Sequence, residues 1–219
     1  MPQKEKFKHR FELERDSLEK LLGDGFPVGS IILMEGGEGS GKTLLCWRIC
    51  YGALKNGETV TYISSEHTTR SFIQHMTSLN YSPLKYLING TLLFIPETTL
   101  RGPIKMTLVS MLKKREIISS DLIILDMPRL TREDVSGIYA IMKRLTWYRK
   151  SIILACNGDV GLREEADIYL KIIRSMRESG LAHEIDIVRF AGTTERFRES
   201  IDFRVEPGVG FVLEITEVV

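Results

Sequence analysis

The sequence predicts an α/β protein with a three-layer core, a mostly parallel central sheet and an antiparallel C-terminal extension. Three observations carry that prediction. The segments Ser30–Glu35, Asp121–Asp126 and Ser151–Cys156 are apolar nearly throughout, as strands covered on both faces are. Helical periods separate the strands, so the chain crosses over instead of turning back. From Asp167 the pattern changes to strand after strand, the mark of an antiparallel tail.

Composition narrows the class. The chain has 219 residues and a formal net charge of +1, which gives no global field for nucleic acid. That length suits a single domain over 1–219. The 3 cysteines, Cys46, Cys50 and Cys156, lack metal-ligand spacing and fit a reducing cytoplasm. Cys46 and Cys50 stand one helical turn apart, and buried packing is expected of them rather than zinc ligation. No apolar stretch approaches ~18 residues, so no membrane span is expected. Residues 1–15 are dense in Lys and Glu, which excludes a signal peptide.

Taken in order, residues 1–14 read as a flexible basic tip with Lys4, Lys6, Lys8 and Arg10 in solvent. Arg15–Leu22 reads as a short helix, stopped by Gly23 and by Gly25-Phe26-Pro27. The Ser30–Glu35 strand runs into Gly36. A helix from Leu44 to Lys55 follows, apolar almost all round, with Arg48 and Lys55 on one polar stripe. Thr59–Ser64 reads as a β-branched strand. Thr68 or Thr69 then caps a helix that carries Phe72, Met76 and Leu79 on one face. Leu92–Ile95 is a short strand closed by Pro96, and Ile104–Ile118 reads as one helix. The Asp121–Asp126 strand ends in a carboxylate. Thr131 and Asp134 form a capping box for a helix with Val135, Ile138, Met142 and Leu145 inward. Ser151–Cys156 is the next buried strand, and Asn157 follows it. Asp167–Arg174, Ala182–Ala191, Ser200–Val205 and Gly210–Ile215 complete the tail as strands.

The chemistry starts at Gly36-Gly37-Glu38-Gly39-Ser40-Gly41-Lys42-Thr43, followed by Leu44. Its spacing is that of the phosphate-binding signature G-x-x-x-x-G-K-[ST], and it stands between a strand and a helix, the context the signature needs. Glycines let the backbone bend so that its N–H groups face an anion. The helix N-terminus adds partial positive charge. Lys42 can reach the β- and γ-phosphates, and the Thr43 hydroxyl can ligate Mg²⁺. A nucleoside triphosphate is the expected ligand.

Such a loop needs a second carboxylate on a neighbouring strand for the water shell of Mg²⁺. Asp126 is delivered to the C-terminal sheet edge, where ligands of open α/β sheets bind. Glu66 follows the Thr59–Ser64 strand to the same edge, placed to act as base or water-positioner. Glu35 and Glu38 compete for that role, but one lies inside a strand and the other within the loop. Asn157 can sense a γ-phosphate or cap the turn that it begins with Gly158. Lys143-Arg144, Trp147-Tyr148 and Arg149-Lys150 interleave cations with aromatics, as nucleic-acid surfaces do. The helix dipole alone also favours cations there. Asp159, Glu164, Glu165 and Asp167 make the following loop acidic, which disfavours a DNA backbone.

These residues resemble the RecA/KaiC-like ATPases. The resemblance runs from Asp16-Ser17-Leu18-Glu19-Lys20-Leu21-Leu22-Gly23 through the phosphate loop. It continues in Tyr62-Ile63-Ser64-Ser65-Glu66-His67-Thr68-Thr69 and Phe203-Arg204-Val205-Glu206-Pro207-Gly208-Val209-Gly210, and so covers nearly the whole chain. The length and the Glu66-His67-Thr68-Thr69 stretch are most similar to the archaellum accessory branch of that superfamily. The resemblance implies a RecA-type core in which another strand separates the phosphate-loop strand from the Asp126 strand. It also implies ATP with Mg²⁺, and Glu66 as the catalytic glutamate. For partners it implies a homo-oligomeric ring, a hexamer by analogy, beneath the membrane-embedded motor platform, touching the secretion ATPase and a cytoplasmic scaffold. Such proteins are nucleotide-gated ring components more than fast hydrolases. Two departures stand out. Met127-Pro128 follows Asp126 where many relatives carry a hydroxyl residue. Arg189 precedes Ala191 by two where relatives that act in trans carry Lys-x-Arg. Rival readings are a single-domain recombinase paralogue on DNA and an autokinase using Ser64, Ser65, Thr68 or Thr69.

Overall fold

The computed structural model describes residues 7–99, 102–177, 180–192, 197–206 and 208–214. Lys4, Lys6, Pro207 and Ile215 lie outside the described residues. In chain order the elements are β1 (Lys8–His9), α1 (Leu18–Leu21), β2 (Phe26–Pro27), β3 (Ile31–Glu35) and α2 (Lys42–Lys55). Next come β4 (Val60–Ser64), α3 (Thr69–Ser78), α4 (Leu84–Ile88), β5 (Leu92–Ile95), α5 (Ile104–Met111), α6 (Arg115–Ile118), β6 (Leu122–Asp126) and α7 (Arg132–Trp147). The chain continues with β7 (Ser151–Cys156), β8 (Ile168–Arg177), β9 (Gly180–Phe190), β10 (Ser200–Glu206) and β11 (Gly210–Glu214).

The strands β3 to β11 form one sheet in the order β11-β10-β9-β8-β3-β7-β6-β4-β5. β8, β3, β7, β6, β4 and β5 run parallel. β9, β10 and β11 extend the sheet antiparallel. As expected, β7 separates the phosphate-loop strand from the Asp126 strand. Alternate residues of the apolar strands serve opposite faces. Ile32, Met34, Tyr62, Ile124 and Ile153 pack with Leu45, Ile49, Phe72 and Met76 of α2 and α3. Ile31, Leu33, Ile123, Leu125 and Leu154 pack with Leu108, Val135, Ile138 and Met142 of α5 and α7. This double burial is why those strands read as unbroken apolar runs. Among the described residues no helix is long and apolar enough to cross a membrane.

Four local expectations change. The N-terminal segment is not solvated from Lys8 onward: His9, Phe11 and Leu13 are buried, and the Lys8 ammonium donates to the Gly23 carbonyl at 2.7 Å. Its alternation (His9, Phe11, Leu13 inward) was a strand-like signal hidden under the charge. The Arg15–Leu22 helix shortens to α1, and Arg15 instead lies over the Tyr81 ring. Arg48 is fully buried, not on a polar stripe. The expected Ile104–Ile118 helix breaks at Leu112–Lys114, where Lys114 takes an extended conformation before α6. The capping box at Thr131 and Asp134 forms as read, and Thr68 caps α3 by accepting from the Ser71 N–H.

Candidate functional site

The site is built at the C-terminal edge of the parallel strands. β3 ends at Glu35, the loop turns, and α2 starts at Lys42 with Gly41 as its N-cap at φ 100°. A side chain at Gly41 would meet Phe203 at 3.0 Å and His183 at 3.3 Å, and φ there disfavours any Cβ. At Gly36 a Cβ would stand 2.2 Å from the Ile172 carbonyl oxygen. Gly36 is required by close backbone approach, and Gly41 by its left-handed φ and the two rings packed against it. Gly39, Ser40, Gly41, Lys42, Thr43 and Leu44 line a cavity of about 180 Å³ with Glu38, Glu66, Pro128 and Asn157. Gly37 leaves open space where a Cβ would point.

Lys42 is buried, and its ammonium donates to the carbonyls of Gly36 (2.8 Å) and Gly37 (2.7 Å) and to Ser40 Oγ (3.2 Å). Burial lowers its pKa, and the Asp126 carboxylate opposes that shift. The cation is held inside the loop by the loop's own oxygens. An entering polyphosphate offers it stronger, charged acceptors.

Asp126 ends β6 beside Ser64 of β4, its register partner, and is 2 % exposed. One carboxylate oxygen accepts from Thr43 Oγ1 at 3.1 Å and the other from the Tyr62 hydroxyl at 2.8 Å. Burial pushes its pKa up to about 6, against the two hydroxyl hydrogen bonds. Thr43 and Asp126 thus put two hard oxygen donors side by side, a set suited to Mg²⁺ and its waters. Tyr62 is the residue that sequence reasoning missed here. It sits mid-strand, and only the pairing of β4 with β6 shows where its hydroxyl reaches.

Glu66 is exposed at the mouth of the cavity, two residues beyond β4. The N–H groups of Glu66 and His67 both donate to Ser64 Oγ, at 3.2 and 3.1 Å, which fixes the turn that carries the carboxylate. That engagement gives Ser64 a structural part. Glu66 also lines a neighbouring cavity of about 480 Å³ with Ser65, Ile104, Met127, Arg129 and Leu130. Its competitor Glu35 is clasped by the Arg163 guanidinium and by the Tyr169 hydroxyl (3.1 Å). Glu35 is therefore not available as a base.

Asn157 lies at the cavity edge with its N–H donating to the Pro128 carbonyl at 3.0 Å. Arg189 stands apart from this group. It pairs with Tyr169 on β8 and donates to the Glu164 and Ala166 carbonyls, near the start of β3, at the opposite sheet edge. The acidic loop is largely engaged: Asp159 pairs with Arg132, Glu165 accepts from the Tyr139 hydroxyl, and Asp167 accepts from the Ile31 N–H. Cys46, Cys50 and Cys156 are free and buried, and among the described residues no cluster could hold a metal through His, Cys, Asp and Glu.

Asp126→Asn is expected to weaken the Mg²⁺-dependent part of ATP binding more than the Mg²⁺-free part. In the native chain the Mg²⁺-dependent part should fade as pH falls through about 6, because protonation removes the ionised oxygen that Mg²⁺ needs. Titrations with Mg²⁺ or EDTA at pH 5 to 8 check both. Equal losses under the two conditions would make Asp126 structural.

Known proteins resemble this chain over nearly its full length. The family model described as "ATPase: KaiC" matches residues 16–128. The archaeal flagellar ATP-binding protein FlaH of Methanocaldococcus jannaschii is 35% identical, over 95% of this chain and 97% of its own. FlaH of Methanococcus voltae is 33% identical, over 95% and 98%. The crystal structure of flagellar accessory protein FlaH from M. jannaschii superposes with a TM-score of 0.84, covering 95% of this chain and 100% of that one at 32% identity. The chain belongs to the FlaH family of KaiC-like ATPases.

Proposed function

We propose that this protein is an ATP-binding ring component of the archaellum machinery whose nucleotide state governs its assembly and partner contacts. The observation that carries the reading is the grouping of Lys42, Thr43, Asp126 and Glu66 around one cradle, in a chain similar to FlaH over nearly its full length. ATP supplies the charged triphosphate, and Mg²⁺ neutralises part of that charge. Lys42 binds the β- and γ-phosphates, Thr43 and Asp126 hold the ion and its waters, and Leu44 and the loop N–H groups complete the cradle. Glu66 orients a water, and Asn157 stands where it can read the γ-phosphate. Arg189, tied to carbonyls at the far sheet edge, does not serve its own cradle, and Ala191 denies it a cationic companion. Trans-acting cations contribute on the order of 10³–10⁵ in rate where they act, so hydrolysis is slow. The ATP state is then long-lived and selects one assembly by mass action.

By analogy with FlaH the assembly is a cytoplasmic hexameric ring, peripheral to the membrane through the motor platform, with the secretion ATPase and a scaffold as neighbours. Glu66→Gln is expected to keep ATP affinity and favour the ring, while nucleotide removal favours smaller species. Light scattering with ATP, ADP and no nucleotide tests this. An oligomer size indifferent to nucleotide in both proteins would refute the switch.

A second reading, a recombinase paralogue on DNA, draws on Trp147 (82 % exposed) and Tyr148 beside Lys143 and Arg144. Salt-dependent DNA binding lost in Trp147→Ala would favour it.

A further inference from the structure

β8 does more than extend the sheet. It lies beside β3 and continues past its end: Glu35 pairs with Lys171, and the Ile172 carbonyl presses on Gly36. Two residues further, Arg174 is level with the phosphate loop and on the same strand face as Ile172. Its Nη1 lies 3.3 Å from the place a Gly39 Cβ would take. Across the β8–β9 ladder the register partner of Arg174 is His183, and directly paired residues share a face. His183 bonds through Nδ1 to the Ser40 carbonyl oxygen at 2.8 Å and stacks on Phe203. Burial lowers the His183 pKa, so the imidazole is neutral and Nδ1–H donates to Ser40.

The two partners have different duties. His183 is 6 % exposed and holds the loop through Nδ1. Arg174 is exposed, and among the described residues it makes no hydrogen bond and no ion pair, with Glu38 or any other carboxylate. A planar guanidinium with free donors, beside a loop shaped for an anion, has the chemistry of a phosphate ligand. Lys42, by contrast, is already engaged by the loop's oxygens.

We infer that Arg174 is a second cation of the nucleotide site, donating from β8 to the phosphate chain of the bound nucleotide. The inference rests on the nucleotide-binding reading given above. It makes the β8–β9 pair part of the site, since β8, the last parallel strand, brings the cation and β9, the first of the antiparallel extension, holds the loop that the cation serves.

The test is equilibrium binding of a fluorescent ATP analogue to the wild type, Arg174→Ala, Arg174→Lys and Arg174→Gln. ATP, ADP, adenosine and inorganic tripolyphosphate are the competitors, at low and high salt. Arg174→Ala should weaken ATP and tripolyphosphate by about tenfold or more, ADP by less, and adenosine not at all. Arg174→Lys should recover part of the loss, Arg174→Gln little of it, and raised salt should narrow the gap. Arg174 is exposed, so thermal melting should be unchanged in all three. Unchanged ATP affinity, or equal losses for ATP and adenosine, would overturn the inference. Lys42→Ala run alongside separates the two levels. Loss of binding there with none in Arg174→Ala refutes only the role of Arg174, and no loss in either refutes the nucleotide site itself.

Discussion

Lys42→Ala is expected to abolish measurable ATP binding while the chain stays folded. The ammonium sits at the junction of the phosphate loop and α2, where its hydrogen-bond acceptors among the described residues are two loop carbonyls and one hydroxyl. Two charge-assisted hydrogen bonds to phosphate are worth about 1.5–3 kcal/mol each, so the expected loss of affinity is on the order of 10²-fold or more. Stability should change little. Burial already disfavours the charged amine, and Lys42 and Ser40 themselves line the cavity, so water can enter the space that the amine leaves. The cost is expected to be about 1 kcal/mol. Fluorescent-analogue titration and thermal melting of the same preparation check both halves. Unchanged affinity would sink the phosphate-loop reading. A collapsed melting curve would mean that Lys42 holds the loop together.

Much of this site was legible because its signals are local. The glycines, Lys42 and Thr43 occupy consecutive positions whose spacing is the chemistry, and Asp126 and Glu66 each follow an apolar strand that delivers them to one edge. The parallel strands were legible for a related reason. Burial on both faces leaves no polar residue to interrupt β3, β6 or β7. What escaped was neighbourhood. Periodicity tells which way a side chain points, not which strand lies beside it. Tyr62 reaches Asp126 only because β4 pairs with β6, and Arg174 and His183 reach the loop only because β8 lies against β3. The place of Arg189 was illegible in the same way, since its pairing with β8 carries it to the edge away from its own loop. Arg48 escaped for a different reason: an arginine on an otherwise apolar helix reads as solvent-facing unless a buried acid is known to await it.

That acid is Asp16, and it motivates the second large effect. Arg48 Nε donates to Asp16 Oδ2 at 2.7 Å, Nη2 donates to Oδ1, and Nη1 donates to the Phe11 carbonyl at 2.7 Å. The side chains of the pair are 0 % and 2 % exposed. Asp16→Ala would strand a guanidinium in the core with one carbonyl for company, and a buried pair broken this way costs about 3–5 kcal/mol. At roughly 2–4 °C per kcal/mol for a domain of this size, the melting temperature should fall by ~6–20 °C. Arg48→Met should cost less, because Asp16 keeps the Leu18 N–H at 3.1 Å. Asp16→Ala combined with Arg48→Met should recover much of the single-mutant loss, since neither charge is then left buried alone. Chemical denaturation of the three variants measures the cycle. A loss under about 1 kcal/mol for Asp16→Ala would show the pair to be energetically idle. Arg48 shares α2 with Lys42 and Thr43 but bonds to Asp16 and Phe11 and does not line the cradle, so the double variant should bind ATP as the wild type does. Full stability with lost ATP binding in that variant would instead make the Asp16 tether part of the nucleotide site.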